Sequence, residues 1–164
     1  MGEIKFGTDG WRAVIAEDFT FGNVDLVAQA TADYWNANPV QGTEKLVAVG
    51  YDRRFLSDGF GKRAAEVMAG NGFRVLLNPD PAPTPSVSYA VKANRGIGGV
   101  MITASHNPAI FNGFKLKSHF GGSAESSTCQ EVEKFLGKSP VRAVPLDQAI
   151  KSKQVIIKDL RKPH

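Results

Sequence analysis

Residues 98–117 read GGVMITASHNPAIFNGFKLK. The run Gly98-Gly99-Val100-Met101-Ile102-Thr103 has strand length and no polar alternation, which predicts a strand buried on both faces. A polar loop, Ser105-His106-Asn107-Pro108, follows at once. Further on, Lys115 and Lys117 alternate as an exposed strand face would. An apolar strand that ends directly in a polar loop suits an open α/β sheet, where ligands bind outside the carboxyl ends of the strands. Ser105 therefore stands where a nucleophile would be displayed. The same residue types also make ordinary polar turns.

Three more runs have the same character: Arg12-Ala13-Val14-Ile15-Ala16, Leu46-Val47-Ala48-Val49-Gly50-Tyr51 and Phe73-Arg74-Val75-Leu76-Leu77. Helical patterns fill the intervals. Asn23 is placed to cap a helix with Val24, Val27, Ala28, Thr31 and Trp35 on one face. Ser57 or Asp58 is placed to cap the next, with Phe60, Ala64, Val67 and Met68 inward and Gly70 or Gly72 as its stop. Thr84-Pro85 opens a third helix with proline at its first position. Ser123 begins a fourth that carries Cys129, Val132 and Leu136 to a stop at Gly137. Alternating strands and helices predict a three-layer α/β/α sandwich around a mixed, mostly parallel sheet. Residues 1–140 read as one such domain. From Lys138 the pattern loosens, and only Gln154-Val155-Ile156-Ile157 suggests another strand.

The composition agrees with a globular domain. The chain has 164 residues, 42% hydrophobic and 22% charged, about one domain's length. The formal charge of +4 is compatible with anionic small molecules or nucleic acid and does not choose between them. The single cysteine, Cys129, cannot close an internal disulfide, which favours a reducing compartment. No apolar run approaches the ~20 residues of a membrane helix. The start, MGEIKFGTDG, lacks both a signal core and the serine or threonine of a myristoylation pattern. These features predict a cytoplasmic location and no membrane partner.

Several familiar site patterns fail. A nucleophile elbow needs glycines two residues either side of its serine, but Thr103 and Asn107 stand there. Leu56 and Arg63 break a phosphate loop around Gly61-Lys62, and Met101 breaks a dinucleotide fingerprint after Gly96 and Gly98. Pro79-Asp80-Pro81-Ala82-Pro83-Thr84-Pro85 has prolines at every second residue and reads as a stiff entry into a helix. Asp52 and Arg54 read as a local loop ion pair. Trp11 reads as a packing anchor, and His119 receives no role.

Four segments, in order, carry a resemblance. They are Phe6-Gly7-Thr8-Asp9-Gly10-Trp11-Arg12, Val49-Gly50-Tyr51-Asp52-Arg53-Arg54, Pro83-Thr84-Pro85, and Thr103 to Pro108 with Asn112-Gly113-Phe114-Lys115. Together they resemble the first domain of the α-D-phosphohexomutases, the phosphoglucomutase/phosphomannomutase family. The last segment is the most specific of the four. The resemblance implies that Ser105 carries a phosphoryl group that moves between the 1- and 6-positions of a hexose through a hexose 1,6-bisphosphate. It implies that Ser105, His106, Lys115 and Arg12 are catalytic. Arg12, Asn107 and Lys115 would bind phosphate or substrate.

General chemistry fits such roles. A phosphoserine brings close to two negative charges and needs cations nearby. Arg12, Lys115 and Lys117 are candidates, arginine through paired hydrogen bonds. His106 has an imidazole able to pass a proton.

The resemblance also implies a Mg²⁺ ion, with the phosphate of Ser105 as its one ligand from this chain. No two aspartates lie within four residues of each other, so no aspartate-rich metal loop is present. Three further domains would supply that loop, a sugar-specificity loop and a distal phosphate site. Residues 141–164 then read as a C-terminal segment leading to domain II, which the 164 residues do not contain. On this reading the chain is an isomerase fragment that takes a phosphorylated hexose only with domains II–IV. A surface left uncovered by domain II would give weak self-association. The rival reading is a non-catalytic anion- or nucleic-acid-binding module. Its basic residues are scattered and no recognition helix or aromatic platform accompanies them, so no nucleic-acid partner is expected.

Overall fold

The computed structural model describes residues 3–162. Met1-Gly2, where the myristoylation pattern would begin, and the last two residues lie outside it. The chain runs β1 (Gly10–Val14), α1 (Phe21–Ala37), β2 (Glu44–Tyr51), α2 (Ser57–Gly70), β3 (Arg74–Leu77), α3 (Thr84–Ala93) and β4 (Gly96–Ile102). It continues β5 (Phe111–Ser118), α4 (Ser126–Glu133), α5 (Leu146–Lys151) and β6 (Val155–Ile157). The strands form one sheet in the order β1-β5-β4-β2-β3-β6. Pairs β4/β2, β2/β3 and β3/β6 are parallel. Pairs β1/β5 and β4/β5 are antiparallel. The expected mixed, three-layer α/β/α sheet is the observed one.

The layers follow from strand parity. Val47, Val49, Val75, Leu77, Val100 and Ile102 pack with residues of α1, α2, α4 and α5 in the larger core. Leu46, Ala48, Leu76 and Met101 face the other way and pack with Val87, Ala90 and Val91 of α3. The central strands are therefore apolar without alternation because both faces are covered. Each fully buried Phe, Leu or Val of these clusters contributes about 1.5–3 kcal/mol relative to exposure. Trp11 is buried and stacks on Phe19 with ring centroids 4.6 Å apart, as a packing anchor should.

Several element boundaries differ from the sequence reading. Helix α1 starts two residues before Asn23, because Thr20 is the cap and its Oγ1 accepts from the Asn23 amide at 3.2 Å. The Asn23 side chain instead donates to the Asp18 carbonyl. Helix α2 already includes Ser57, one of the two expected caps; the cap position is Leu56 at φ 59°, without a side-chain bond. Helix α4 starts at Ser126, not Ser123, since Ser123 bridges to Lys117 beside β5. Strand β5 shows in the sequence only as a lysine alternation.

Residues beyond 140 fasten onto the same body. The Arg142 amide donates to the buried Gln29, and the Leu146 amide to Glu66. Strand β6 pairs with β3 and becomes the sheet edge. The segment that reads as a connection thus supplies α5 and the sixth strand.

Candidate active site

Strand β4 delivers the chain to Thr103 at the carboxyl end of the sheet. There the Thr103 amide still donates to the Gly113 carbonyl at 3.0 Å. The turn that follows is closed locally. The Ser105 amide donates to Thr103 Oγ1 at 3.0 Å, and the Asn107 amide to the Ala104 carbonyl at 3.0 Å. Ser105 has φ 55°. A non-glycine residue held in this left-handed region costs about 1–3 kcal/mol and persists only where its surroundings impose it. Ser105 and His106 are exposed and Asn107 is half-buried. The loop therefore presents the serine hydroxyl to solvent, as the sequence suggests.

Beside it lies a basic strand face. Arg12 of β1 stands opposite Gly113 of β5, and Gly10 opposite Lys115. Paired residues share a face, and Lys115 also pairs with Met101 on the α3 side. Arg12 and Lys115 therefore project to that same side. Asp9 joins them, with Oδ2 2.9 Å from Lys115 Nζ and Oδ1 3.4 Å from Arg12 Nη2. Lys115 is nearly buried by this contact, while Arg12 stays partly open.

Lys117 departs from expectation. The alternation predicts an exposed strand face, yet Lys117 is 6% exposed and donates to Ser123 Oγ at 3.2 Å. The turn after β5 folds back over it. Burial, with a contribution from neighbouring Lys115, pushes its ammonium below the ordinary lysine range, against the pull of Asp9. It is not available as a free surface cation.

Two clefts meet at Asn107. One, of about 680 Å³, is lined by Thr8, Asp9, Gly10, Arg12, Asn107 and Ser123, among others. The other, of about 530 Å³, is lined by Asp52, Arg53, Arg54, Phe55, Ser105, Asn107 and Ala109. The structure thus gathers Arg12, Asn107 and Ser105 around two adjoining clefts and links Lys115 through Asp9. His106 adjoins Ser105 in the loop but lines neither cleft. Sequence reasoning missed Asp9, although it lies inside the Thr8-Asp9-Gly10 stretch that carries the resemblance. It also confined Arg54 to a local pair. That pair exists, at 3.3 Å to Asp52, but the side chain reaches on to the Ser105 loop.

The chain's own donors do not compose a magnesium site. Mg²⁺ prefers a near-octahedral set of oxygen ligands. The carboxylates nearest the loop, Asp9 and Asp52, are both engaged by cations. Among the described residues no three His, Cys, Asp or Glu converge. Cys129 is no alternative nucleophile. It is buried, and desolvation, with Asp9 and Glu133 nearby, raises its thiol to about 11.

An α/β/α layer sheet that displays a serine loop next to paired cations has a build suited to an anionic small molecule. Residues 3–141 match the family model described as "Phosphoglucomutase/phosphomannomutase, alpha/beta/alpha domain I". The chain belongs to that family, in the position of its first domain.

Among its relatives is a phosphoglucomutase of Staphylococcus saprophyticus, 33% identical over 144 residues, which are 82% of this chain and 24% of that protein. A phosphoribomutase of Saccharomyces cerevisiae is 41% identical over 117 residues, 69% of this chain and 19% of the relative. A crystal structure from Thermus thermophilus, assigned as a phosphomannomutase, superposes with TM-score 0.78 at 38% identity. The match covers 88% of this chain and 31% of that one. The chain spans about a fifth to a third of the curated relatives it matches. Among the described residues no helix is long and apolar enough to cross a membrane.

Proposed function

We propose that this chain is the phosphoserine-bearing domain of a sugar-phosphate mutase that interconverts hexose 1-phosphate and hexose 6-phosphate. The observation that carries the reading is Ser105, exposed, held at positive φ and set beside the Arg12 cleft. The relatives' names range over phosphoglucomutase and phosphoribomutase, which supports a sugar phosphate as substrate.

In the proposed half-reaction, phosphorylated Ser105 gives its phosphoryl group to a free sugar hydroxyl. The P–O bond to Ser105 Oγ breaks and one to the sugar oxygen forms, giving a hexose 1,6-bisphosphate. The hydroxyl proton leaves to a base on the loop. We assign that role to His106, next to Ser105 in the chain, since Lys115 is paired with Asp9. The bisphosphate then turns, and its other phosphoryl group returns to Ser105. Arg12, Lys115 and Asn107 bind and orient phosphate, the main demand of phosphoryl transfer. Mg²⁺, where bound, would supply charge neutralisation at the transferring group. Its carboxylate ligands would come from outside this chain.

Trypsin releases Gly96–Lys115 as one peptide containing Ser105. Mass spectrometry of that peptide from source cells should find phosphate on Ser105, and its consistent absence would overturn the reading. The isolated 164 residues should not convert glucose 1-phosphate in a coupled assay, since the remaining domains carry the rest of the site. Turnover by the pure chain would refute that division of labour.

A further inference from the structure

We infer that Arg54 is a positioning residue that holds Ser105 in its left-handed conformation by clamping the loop from below. Its guanidinium has five N–H groups, and each of its three nitrogens faces oxygen. Nε faces Asp52 Oδ2 at 3.3 Å. Nη1 donates to the carbonyls of Pro108 at 2.8 Å and Phe111 at 2.9 Å. Nη2 donates to the carbonyls of Ser105 at 3.0 Å and Asn107 at 2.7 Å. Four carbonyls between 105 and 111 thus converge on one planar group. Carbonyls aimed at one point repel each other unless a cation with several fixed donors stands there, and only arginine offers that fork.

The clamp closes a ring. Asp52 Oδ1 accepts from the Arg54 amide at 2.9 Å and from Ser57 Oγ at 2.8 Å. Ser57 Oγ accepts from Asn112 Nδ2 at 2.8 Å, and Asn112 Oδ1 accepts from the Gly113 amide at 2.9 Å. The Gly113 carbonyl accepts from Thr103, whose Oγ1 accepts from the Ser105 amide. The Ser105 carbonyl returns to Arg54. Ser105 is therefore held at its amide and its carbonyl by the two ends of one hydrogen-bonded circuit, and its positive φ is the conformation that satisfies both.

Because both terminal nitrogens donate to loop carbonyls and Nε faces the Asp52 carboxylate, Arg54 positions the loop and does not grip the phosphate. The clamp stands on geometry alone, while its value for catalysis rests on reading Ser105 as the phosphoryl carrier.

Nuclear magnetic resonance on the 164-residue chain tests this. In the unmodified protein, Arg54 Nη rotation should be restricted, giving separate Nη signals; one averaged signal would overturn the clamp. In Arg54→Lys, which keeps the charge and the stem, the Ser105 backbone carbon shifts should leave their left-handed pattern. Amide exchange over residues 105–111 should rise at least about tenfold, with the β2 and β3 amides unchanged, as expected of local opening. Arg54→Ala should behave alike. Unchanged Ser105 shifts with exchange within about twofold of the parent would overturn the inference. Inorganic phosphate should bind the parent and Arg54→Lys with equal affinity; a selective loss would make Arg54 a phosphate ligand and refute the positioning role. A released loop together with no phosphate on Ser105 would leave the clamp standing and remove the phosphoserine reading. The reverse pair of results would do the opposite.

Discussion

Gly113→Ala should loosen the candidate active-site corner by crowding the backbone around it and the stem of Arg12. Gly113 lies in β5 between β1 and β4, opposite Arg12. A Cβ there would stand 2.5 Å from the Thr103 carbonyl oxygen, 2.9 Å from Arg12 Cγ and 3.2 Å from the Trp11 carbonyl oxygen. Two of those atoms are backbone of the flanking segments, so no side-chain rotation relieves them. Overpacking of this kind costs about 1–3 kcal/mol, and alanine returns about 0.5–1 kcal/mol relative to glycine in a strand. The net loss should centre on about 1 kcal/mol. For a domain of this length, each kcal/mol lowers Tm by about 2–4 °C. Gly22 is the matched control. It lies in the first turn of α1, and a Cβ there meets nothing within 4 Å, so Gly22→Ala should gain about 0.5–1 kcal/mol. Urea unfolding of both variants, with equal m-values, measures the difference. Gly113→Ala should also speed exchange of the Thr103 amide, which bonds to the Gly113 carbonyl. A Gly113→Ala midpoint equal to or above the parent's would refute the crowding argument.

Ser105→Ala should leave the unfolding free energy within about 0.5 kcal/mol, as expected of an exposed site, and abolish phosphate on the 96–115 peptide; phosphate persisting there would move the acceptor elsewhere. Asp9→Asn removes the anion between Lys115 and Arg12. With both pairs partly exposed, the loss should be about 1 kcal/mol and shrink in high salt, and a salt-independent loss would show that packing, not charge, was removed. Lys117→Met tests the buried ammonium. Its lowered folded value means that the folded state binds fewer protons than the unfolded state between that value and the ordinary lysine range, so parent stability rises with pH there. The variant should therefore exceed the parent near neutral pH, with the gap closing as pH climbs through that window. A gap independent of pH would assign the effect to shape.

The central strands are legible because burial on both faces leaves nothing polar in them. Residues of β2, β3 and β4 are apolar for that reason, and the sequence places their ends within two residues. Strand β5 is harder, because Phe111–Ser118 mixes lysines with apolar positions where it leaves the covered part of the sheet. Lys117 looks exposed by alternation, and only the fold-back of 118–123 buries it. Caps are misplaced where two polar residues compete. Thr20 and Asn23 both suit a helix start, and the Asn23 bond to the Asp18 carbonyl decides between them. At the site, local order within 103–108 shows Ser105, His106 and Asn107 together. The Asp9–Lys115 pair spans 106 positions and the Arg54 contacts span 51 to 57. Contacts of that separation leave no periodicity for a sequence pattern to show.

The place of the site follows from a change of strand direction. Strand β4 is parallel to β2 but antiparallel to β5, so the 103–110 loop is both the carboxyl end of a parallel strand and a reversal. The reversal sends β5 back beside β4, and β1 pairs along its far side, which carries Lys115 and Arg12 into the corner where Ser105 turns out. In an all-parallel sheet a crossover helix would separate those residues by its own length and cover that face. Here α3 covers β2 and β4, while Arg12 and Lys115 lie beyond it on the antiparallel strands. Arg12 on that margin stays reachable from solvent at modest desolvation cost, with Asp9 tying Lys115 beside it. A phosphorylated ligand approaching Ser105 would have to compete with Asp9 for Lys115 and Arg12. Asp9→Asn should therefore strengthen inorganic phosphate binding even as it lowers stability. If stability and phosphate affinity fell together, Asp9 would be organising the anion site and not competing for it.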